Sequence, residues 1–231
     1  MPVPLILLPP SEGKSSGGNG TPWSKTSQSF PELESARKDV IKALKLAMKA
    51  PIAERSKLLG VGESKTGEAT KANLSVDTGK TLPAIERYTG VLYDALDYGT
   101  LSAKLKKRVD SQVVIFSGLW GMVRPGDLIP DYKLKMGAKL PSLGKLSTFW
   151  KPLISESLTP AASGVVWDLL PNEHSAAWDP SISGRRIRVS FLDDVMKDKK
   201  RTLVTVSHWN KLLKGSLVRF IAESQVDDPS G

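Results

Sequence analysis

Cysteine is absent from the 231-residue sequence, and histidine occurs only twice. The lack of cysteine excludes disulfides, cysteine-ligated zinc, iron–sulfur clusters and a thiol nucleophile, and it suits a reducing cytoplasm. No apolar stretch approaches the length of a membrane span. The apolar run over residues 3–8 is too short for a signal peptide and follows no basic segment. We therefore expect a cytoplasmic protein without a membrane partner.

The charge balance favours an anionic partner. The net charge is +9 and the isoelectric point is about 9.6, in a chain that is 40% hydrophobic and 25% charged. Such a balance is typical of a globular protein that binds nucleic acid or a small anion, although lysines can also serve only to keep a surface solvated. Charge alone therefore leaves both alternatives open.

The hydrophobic pattern predicts strands scattered between helices. Buried strands are expected over residues 3–8, 113–116 and 165–169, and a hairpin over residues 186–192 and 202–207. Helices are expected over residues 31–50, 83–96, 101–109, 146–158 and 210–224. This order predicts an α/β (mixed α+β) fold: one domain over residues 1–231, with a single mixed β-sheet covered by helices.

The first loop contains a fragment of a phosphate-binding motif. Gly13-Lys14-Ser15 follows the first predicted strand, as the end of a P-loop would, but the glycine that the motif requires five positions earlier is Leu8. The following residues, rich in glycine and serine, cannot begin the helix that a P-loop needs. The segment is therefore a basic, glycine-rich loop at a strand end, and it is not a nucleotide-hydrolysing motif.

The longest loop, over residues 116–140, follows the second buried strand. It carries Arg124, Asp127, Tyr132 and Lys133. In α/β sheets, ligands collect at the carboxyl ends of strands, which favours a binding site here. The alternative is an ion pair between Arg124 and Asp127 that holds the loop in place.

Motifs in this loop resemble the hallmark of the YaaA family, the peroxide stress response proteins. They are Ser117-Gly118-Leu119-Trp120-Gly121, Arg124-Pro125-x-Asp127 and Pro130-x-Tyr132-x-Leu134-x-Met136-Gly137. Further matches extend over nearly the whole chain, at Gly90, Tyr93, Phe149, Trp150, Asn172, Glu173, Lys211, Lys214, Gly215, Arg219 and Phe220. The first loop departs from the family's usual Ser-Pro-Ala-Lys, so the chain resembles a divergent branch.

The resemblance implies a cytosolic protein that is induced by hydrogen peroxide. It implies that the protein limits unincorporated iron and thereby oxidative damage to DNA. It also implies a compact α/β fold that includes a DNA-binding helix-hairpin-helix element.

Residues 52–74 fit such an element, with two predicted helices joined by Gly60-Val61-Gly62. The glycines let backbone N–H groups approach a phosphate at the start of the second helix. The predicted contacts with double-stranded DNA are made by Lys57, Gly60, Gly62, Lys65 and Lys71. The alternative is an ordinary turn between helices, closed by a glycine.

A second hypothesis places an anion-binding pocket at the strand ends. The predicted anion-binding residues are Lys14, Arg124, Lys211 and Lys214. The candidate catalytic residues, should the pocket be an active site, are Glu12, Lys14, Arg124, Tyr132, Glu173 and Lys211. The ligand class would be a nucleoside, nucleotide or related phosphate, and the alternative is an ion-pair network with a purely structural role.

No cofactor or metal site is predicted, because Glu173 and His174 with Asp168 would form only a weak carboxylate-rich metal site. The favoured hypothesis is a DNA-binding protein of the oxidative stress response, and the rival hypothesis is an enzyme that uses the pocket around Lys14. The sequence leaves open the oligomeric state and any DNA sequence preference.

Overall fold

A computed structural model describes residues 3–197, 200–204 and 207–224. The described helices are α1 (Glu34–Ala47), α2 (Ile52–Leu59), α3 (Glu63–Leu74), α4 (Ala84–Arg87), α5 (Val91–Leu96), α6 (Ala103–Gln112), α7 (Leu146–Leu158), α8 (Asn172–Ser175) and α9 (Ser207–Ser224). The described strands are β1 (Leu5–Leu8), β2 (Leu82–Pro83), β3 (Val113–Ser117), β4 (Gly121–Val123), β5 (Leu128–Ile129), β6 (Lys139–Leu140), β7 (Gly144–Lys145), β8 (Val165–Asp168), β9 (Arg185–Arg188), β10 (Asp193–Lys197) and β11 (Lys200–Val204).

Five strands form the principal sheet, in the order β4-β3-β1-β8-β9. Strands β3, β1, β8 and β9 run parallel to one another, and β4 returns antiparallel to β3. The carboxyl ends of β3, β1 and β8 therefore meet at one edge of the sheet, where ligands collect in α/β folds. This confirms the α/β class with a mixed sheet, in which β1 and β3 are neighbours.

The central strands lie in the core because both of their faces are apolar. All four residues of β1 and all five of β3 are buried, which is typical of parallel strands that are covered on both sides. Helices α5 and α9 pack so closely that a side-chain carbon at Gly215 would lie only 2.0 Å from the Leu92 carbonyl oxygen. Glycine is thus required for this approach.

Two predicted elements differ from the structure. The predicted helix over residues 83–96 is divided into α4 and α5 at Gly90, whose φ of 99° is unfavourable for residues with a side chain. The predicted hairpin was wrong in its first strand: β9 pairs in parallel with β8, and β10 forms the hairpin with β11. β9 thus occupies the edge of β8 that β1 leaves open.

Residues 52–74 form the two predicted helices, α2 and α3, on either side of the Gly60–Gly62 turn. Among the residues that the structure describes, no helix is both long enough and apolar enough to cross a membrane.

Candidate functional site

The glycine-rich loop after β1 is held in place by a buried arginine. Arg87, at the end of α4, is fully buried and donates hydrogen bonds to the carbonyl oxygens of Ser15, Gly17, Lys80 and Ile129. Backbone hydrogen bonds from Ser15 to the Arg87 carbonyl and from Thr89 to the Gly13 carbonyl fix the same loop. The loop therefore has a defined conformation on both sides of Lys14.

Lys14 projects over two buried tyrosine rings. Its ammonium nitrogen lies 4.2 Å from the ring centroid of Tyr132 and 5.6 Å from that of Tyr88, and it donates a hydrogen bond to the Ser11 carbonyl at 3.3 Å. Burial lowers the pKa of Lys14 to about 8, and the nearby Lys133 lowers it further against the opposing attraction of Asp131. A sizeable fraction of Lys14 is thus neutral near physiological pH.

A chain of hydroxyl groups lies beneath the Lys14 ammonium. The Tyr132 hydroxyl is 2.7 Å from both the Tyr88 hydroxyl and Ser117 Oγ. Ser117 Oγ also accepts hydrogen bonds from the amides of Leu119 and Trp120, which occupy its two lone pairs. Ser117 therefore donates to Tyr132, and a second hydrogen bond joins the hydroxyls of Tyr132 and Tyr88. Burial raises the pKa of Tyr132 to about 12, so the chain stays protonated.

Glu12 lies at the mouth of the site and binds two lysines. Its carboxylate oxygens are 3.2 Å from Lys133 Nζ and 3.3 Å from Lys135 Nζ. Burial alone raises the pKa of Glu12, but attraction and hydrogen bonding by these lysines outweigh it and lower the pKa. One carboxylate thus neutralises only part of the positive charge at the entrance.

Glu173 and His174 approach from α8 on the other side. Glu173 Oε1 accepts a hydrogen bond from the Gly137 amide at 2.6 Å, and a side-chain carbon at Gly137 would clash with this carboxylate. Burial lowers the pKa of His174 to about 4, so the imidazole is neutral at physiological pH. Both ring nitrogens are buried, and neither has a hydrogen-bond partner among the described residues.

These groups line a cavity of about 210 Å³ at the carboxyl edge of the sheet. Its lining comprises Pro10, Ser11, Glu12, Lys14, Tyr132, Lys133, Leu134, Lys135, Pro171, Glu173 and His174. Of the six candidate catalytic residues, the structure brings together Glu12, Lys14, Tyr132 and Glu173. The volume is below the roughly 300–1,000 Å³ of pockets for drug-sized ligands, which favours a small ligand such as a sugar.

Arg124 lies elsewhere, so its expected position in the pocket was wrong. Its guanidinium donates to the carbonyl oxygens of Ser111 and Val113, at the amino-terminal end of β3, while the cavity lies at the carboxyl end. Because β4 runs antiparallel to β3, the residue after β4 returns to the opposite edge of the sheet. Asp127 accepts a hydrogen bond from the Arg124 backbone amide, at 2.8 Å. The contact that holds this loop is thus made by the Arg124 backbone.

The two lysines of α9 have different surroundings. Lys211 is exposed on α9 and does not line the cavity, contrary to the predicted convergence. Lys214 is partly buried and donates to the Leu169 carbonyl at 2.7 Å, and burial lowers its pKa. Beside it, the fully buried Asp168 pairs with Arg186 at 2.5 Å, which commits this carboxylate to an internal ion pair. Within the described part of the chain, no cluster of three or more histidine, aspartate and glutamate side chains could hold a metal ion.

The turn between α2 and α3 lies close to this cavity. Gly60 has a left-handed backbone, with φ of 62°, and a side-chain carbon there would lie 2.9 Å from Lys135 Nζ. The amides of Gly60 and Val61 donate to the Ser56 carbonyl and close α2. Lys135 therefore contacts the turn on one side and Glu12, at the mouth of the cavity, on the other.

The residues that are predicted to contact DNA are exposed to solvent. Lys57, Lys65, Lys71 and the two glycines Gly60 and Gly62 are all exposed. Thr66, in the first turn of α3, is fully buried and donates to the Gly62 carbonyl at 3.1 Å.

Sequence reasoning missed Arg87 and the role of His174. A single arginine in a short amphipathic stretch has no pattern that indicates burial, and its carbonyl partners lie up to 72 positions away in the chain. His174 was noted only as a weak metal ligand, although its neighbour Glu173 was a candidate and α8 carries both residues into the cavity.

Comparison with known proteins identifies the family. A family model described as peroxide stress protein YaaA matches residues 5–231. The chain is similar to a UPF0246 protein of Streptomyces coelicolor, at 42% identity over 218 residues that cover 93% of this chain and 81% of the relative. A UPF0246 protein of Corynebacterium glutamicum is 39% identical over 225 residues, 96% of this chain and 86% of the relative. The chain therefore belongs to the YaaA family of peroxide stress proteins.

Proposed function

We propose that this protein binds double-stranded DNA in the cytosol during peroxide stress and thereby limits iron-dependent DNA damage. Membership of a family named for peroxide stress supports the oxidative-stress setting. The observation that carries the DNA part of the proposal is the geometry of the turn between α2 and α3. The effect on iron-dependent damage follows from the resemblance to the family.

The turn presents the start of α3 to solvent. Gly62 is exposed and extended, and α3 begins at the next residue, with the Lys65 amide donating to the Gly62 carbonyl as the first hydrogen bond of that helix. The amides just before Lys65 have no intrahelical acceptor, so they are free to donate to an anion. The helix dipole adds a favourable interaction with a phosphate.

The local charge is only weakly positive. Arg55, Lys57, Lys65 and Lys71 are opposed by Glu54, Glu63 and Glu68, which leaves a net charge of +1 over residues 52–74. Lys135, beside Gly60, adds a further positive charge at the turn. We therefore expect sequence-independent binding that depends on a few phosphate contacts and weakens with salt in proportion to their number.

A titration of duplex DNA at two salt concentrations tests this proposal. Replacing Lys57 and Lys65 together with glutamate should weaken binding strongly at low salt and reduce the slope of log K against log salt by about 2. The control variant carries glutamate at Lys42 and Lys49, two exposed positions of the α1 region that change the net charge equally. Equal losses in both variants, or no binding by the unmodified protein at low salt, would refute the role of the turn.

The iron part of the proposal has a separate test. DNA exposed to ferrous iron and hydrogen peroxide should be nicked less when the protein is present, and the variant changed at Lys57 and Lys65 should protect less. Equal nicking with and without bound protein would show that binding gives no protection.

The cavity supports a second candidate function, an enzyme that acts on a nucleoside, nucleotide or related phosphate. The observation that favours it is the convergence of Lys14, Tyr132 and Glu173 in one cavity, next to a neutral histidine. Groups with shifted pKa values in a cleft are typical of active sites, although internal ion pairs also shift pKa values. Thermal stabilisation by a nucleotide or sugar phosphate, lost in Lys14→Met, would support this candidate.

A further inference from the structure

Lys14 has the surroundings of an amine nucleophile. Its nitrogen donates one hydrogen bond, to the Ser11 carbonyl at 3.3 Å, and it forms no ion pair among the described residues. Two carboxylates act on it through their charge: Asp131, with which it forms no ion pair, and Glu12, which is bound instead to Lys133 and Lys135. The face of Tyr132 lies 4.2 Å below the nitrogen. A lysine that is largely withdrawn from water and that forms no direct ion pair is readily deprotonated, which activates it for attack on a carbonyl group.

The surrounding structure holds this amine in one position. Arg87 fixes the loop on the carboxyl-terminal side of Lys14 through the Ser15 and Gly17 carbonyls. Below it, the hydroxyl chain from Ser117 to Tyr132 fixes the ring over which the nitrogen lies. Catalytic groups that are held rigidly in this way need little reorganisation when a substrate binds.

The opposite wall of the cavity supplies a base. Glu173 is held by one hydrogen bond, from the Gly137 amide to Oε1, and no hydrogen bond within the described residues engages its Oε2. The neutral His174 imidazole next to it has one donor and one acceptor nitrogen, both without a partner in the described part of the chain. An amine, a carboxylate and a hydrogen-bonding imidazole therefore face a space of about 210 Å³.

The cavity is also adjacent to the proposed DNA-binding turn. Lys135 contacts both the Gly60 backbone and Glu12 at the cavity mouth. A DNA strand with a phosphate at the start of α3 would pass Lys135 and Lys133, whose charges suit the flanking phosphates. A sugar without a base, displaced from the duplex, would then enter a cavity whose volume of about 210 Å³ favours a small ligand.

We propose that Lys14 is the amine nucleophile of a DNA lyase that acts on abasic deoxyribose, the sugar left when a base is lost from DNA. This inference rests on the proposed DNA binding and names the substrate class of the neighbouring cavity. The reactive chemistry is that of an aldehyde sugar bearing a phosphate, whether it lies within DNA or is free.

The steps balance without any redox partner. The neutral Lys14 amine adds to the C1′ aldehyde of the ring-opened sugar, and loss of water with uptake of one proton from solvent gives an iminium ion. The Glu173 carboxylate then removes a C2′ proton, and the electron pair forms the C2′–C3′ double bond as the bond from C3′ to its phosphate oxygen breaks. The phosphate-ended strand leaves, and water hydrolyses the imine, which restores the Lys14 amine and releases the unsaturated aldehyde.

Trapping with borohydride tests the proposal, because reduction of the iminium ion makes the covalent adduct permanent. A duplex with one abasic site is incubated with the full chain and borohydride, and the modified residue is mapped by mass spectrometry. We expect one adduct, at Lys14, that is lost in Lys14→Met and retained in Lys42→Met. Adduct formation should rise about tenfold per pH unit below the Lys14 pKa of about 8. Glu173→Gln should retain the adduct but slow strand cleavage by at least tenfold.

Each other outcome overturns the inference. An adduct that persists in Lys14→Met, or that maps to another lysine, would exclude Lys14 as the nucleophile. Binding of the abasic duplex without any adduct would leave the proposed DNA binding intact and exclude the lyase. Absence of DNA binding, together with an adduct between Lys14 and free deoxyribose 5-phosphate, would show that the source of the sugar is a metabolite and that DNA is not the substrate.

Discussion

The cavity around Lys14 and the turn between α2 and α3 are adjacent but are built in opposite ways. The turn comes from one continuous stretch, and its lysines are exposed. The cavity is formed by three elements that are distant in the sequence: the loop after β1, helix α8, and the segment that follows β5. Burial in this cavity shifts the pKa values of Lys14 and His174. The turn can bind through charge alone, whereas reactive groups require the partial exclusion of water that only long-range packing provides.

Replacing Arg87 should have the largest effect, and it should affect the cavity more than the turn. Arg87→Met leaves the carbonyls of Ser15, Gly17, Lys80 and Ile129 without their donor, and each such group that water cannot reach costs about 1–3 kcal/mol. Allowing for some relaxation, we expect the free energy of unfolding to fall by about 3–5 kcal/mol. Urea denaturation measures the loss.

Arg37→Met is the matched control for that change. Arg37 is equally buried and also donates to backbone carbonyls, those of Trp120, Met122 and Ser29, but it does not line the cavity. Both variants should lose stability, and only Arg87→Met should change the reactivity of Lys14 towards an amine-acylating reagent. Unchanged Lys14 reactivity in folded Arg87→Met would show that Arg87 does not position the loop.

Replacing Lys14 should have the second largest effect on stability, and it should stabilise the protein. Because the Lys14 pKa of about 8 lies below the ordinary value of 10.5, the unfolded chain binds this proton more tightly, and the free energy of unfolding rises as the pH increases from 8 to 10.5. At pH 7 the penalty for charging Lys14 in the folded state is about 3 kcal/mol. Lys14→Met should therefore be more stable than the unmodified protein at pH 7, by up to about that amount, and the advantage should disappear above pH 10.5.

Denaturation curves at several pH values, with Lys42→Met as the control, measure this difference. A destabilised Lys14→Met at pH 7 would mean that the contacts of Lys14 with Ser11 and Tyr132 outweigh its desolvation. A residue that lowers stability while it lines a cavity is typical of a functional site, where activity and stability conflict.

The same contrast explains how far the sequence could predict the molecule. The strands β1 and β3 and the two helices of the turn were predictable because local hydrophobic patterns and glycine spacing determine them. The grouping of Glu12, Lys14, Tyr132 and Glu173 was also predictable, since carboxyl ends of parallel strands share an edge. Arg124 was misplaced because local sequence does not reveal that the chain reverses direction at residues 118–120, between β3 and β4.

Protonation of His174 should lower the stability of the protein in acid, by less than the change expected for Lys14→Met. The His174 pKa of about 4 in the folded protein lies below the ordinary 6.5, so its contribution to stability is complete above pH 6.5 and is lost as the pH falls towards 4. At pH 5 the loss is about 2 kcal/mol. His174→Asn should remove this part of the acid sensitivity, whereas changes at Lys57 or Lys65 in the turn should not. An unchanged acid transition in His174→Asn would show that its ring is accessible to water in solution.

Replacing Arg124 should have the smallest effect on stability, and it tests whether the cavity is independent of the opposite edge of the sheet. Arg124→Met removes two hydrogen bonds to the Ser111 and Val113 carbonyls and a contact with the Phe30 ring, whose centroid lies 5.4 Å from the guanidinium carbon. Because Arg124 is only partly buried, we expect a loss of about 1–2 kcal/mol in urea denaturation. Covalent trapping at Lys14 and DNA binding should both stay unchanged. If a folded Arg124→Met loses trapping at Lys14, the two edges of the sheet are coupled, and the cavity is not the self-contained unit that its lining residues indicate.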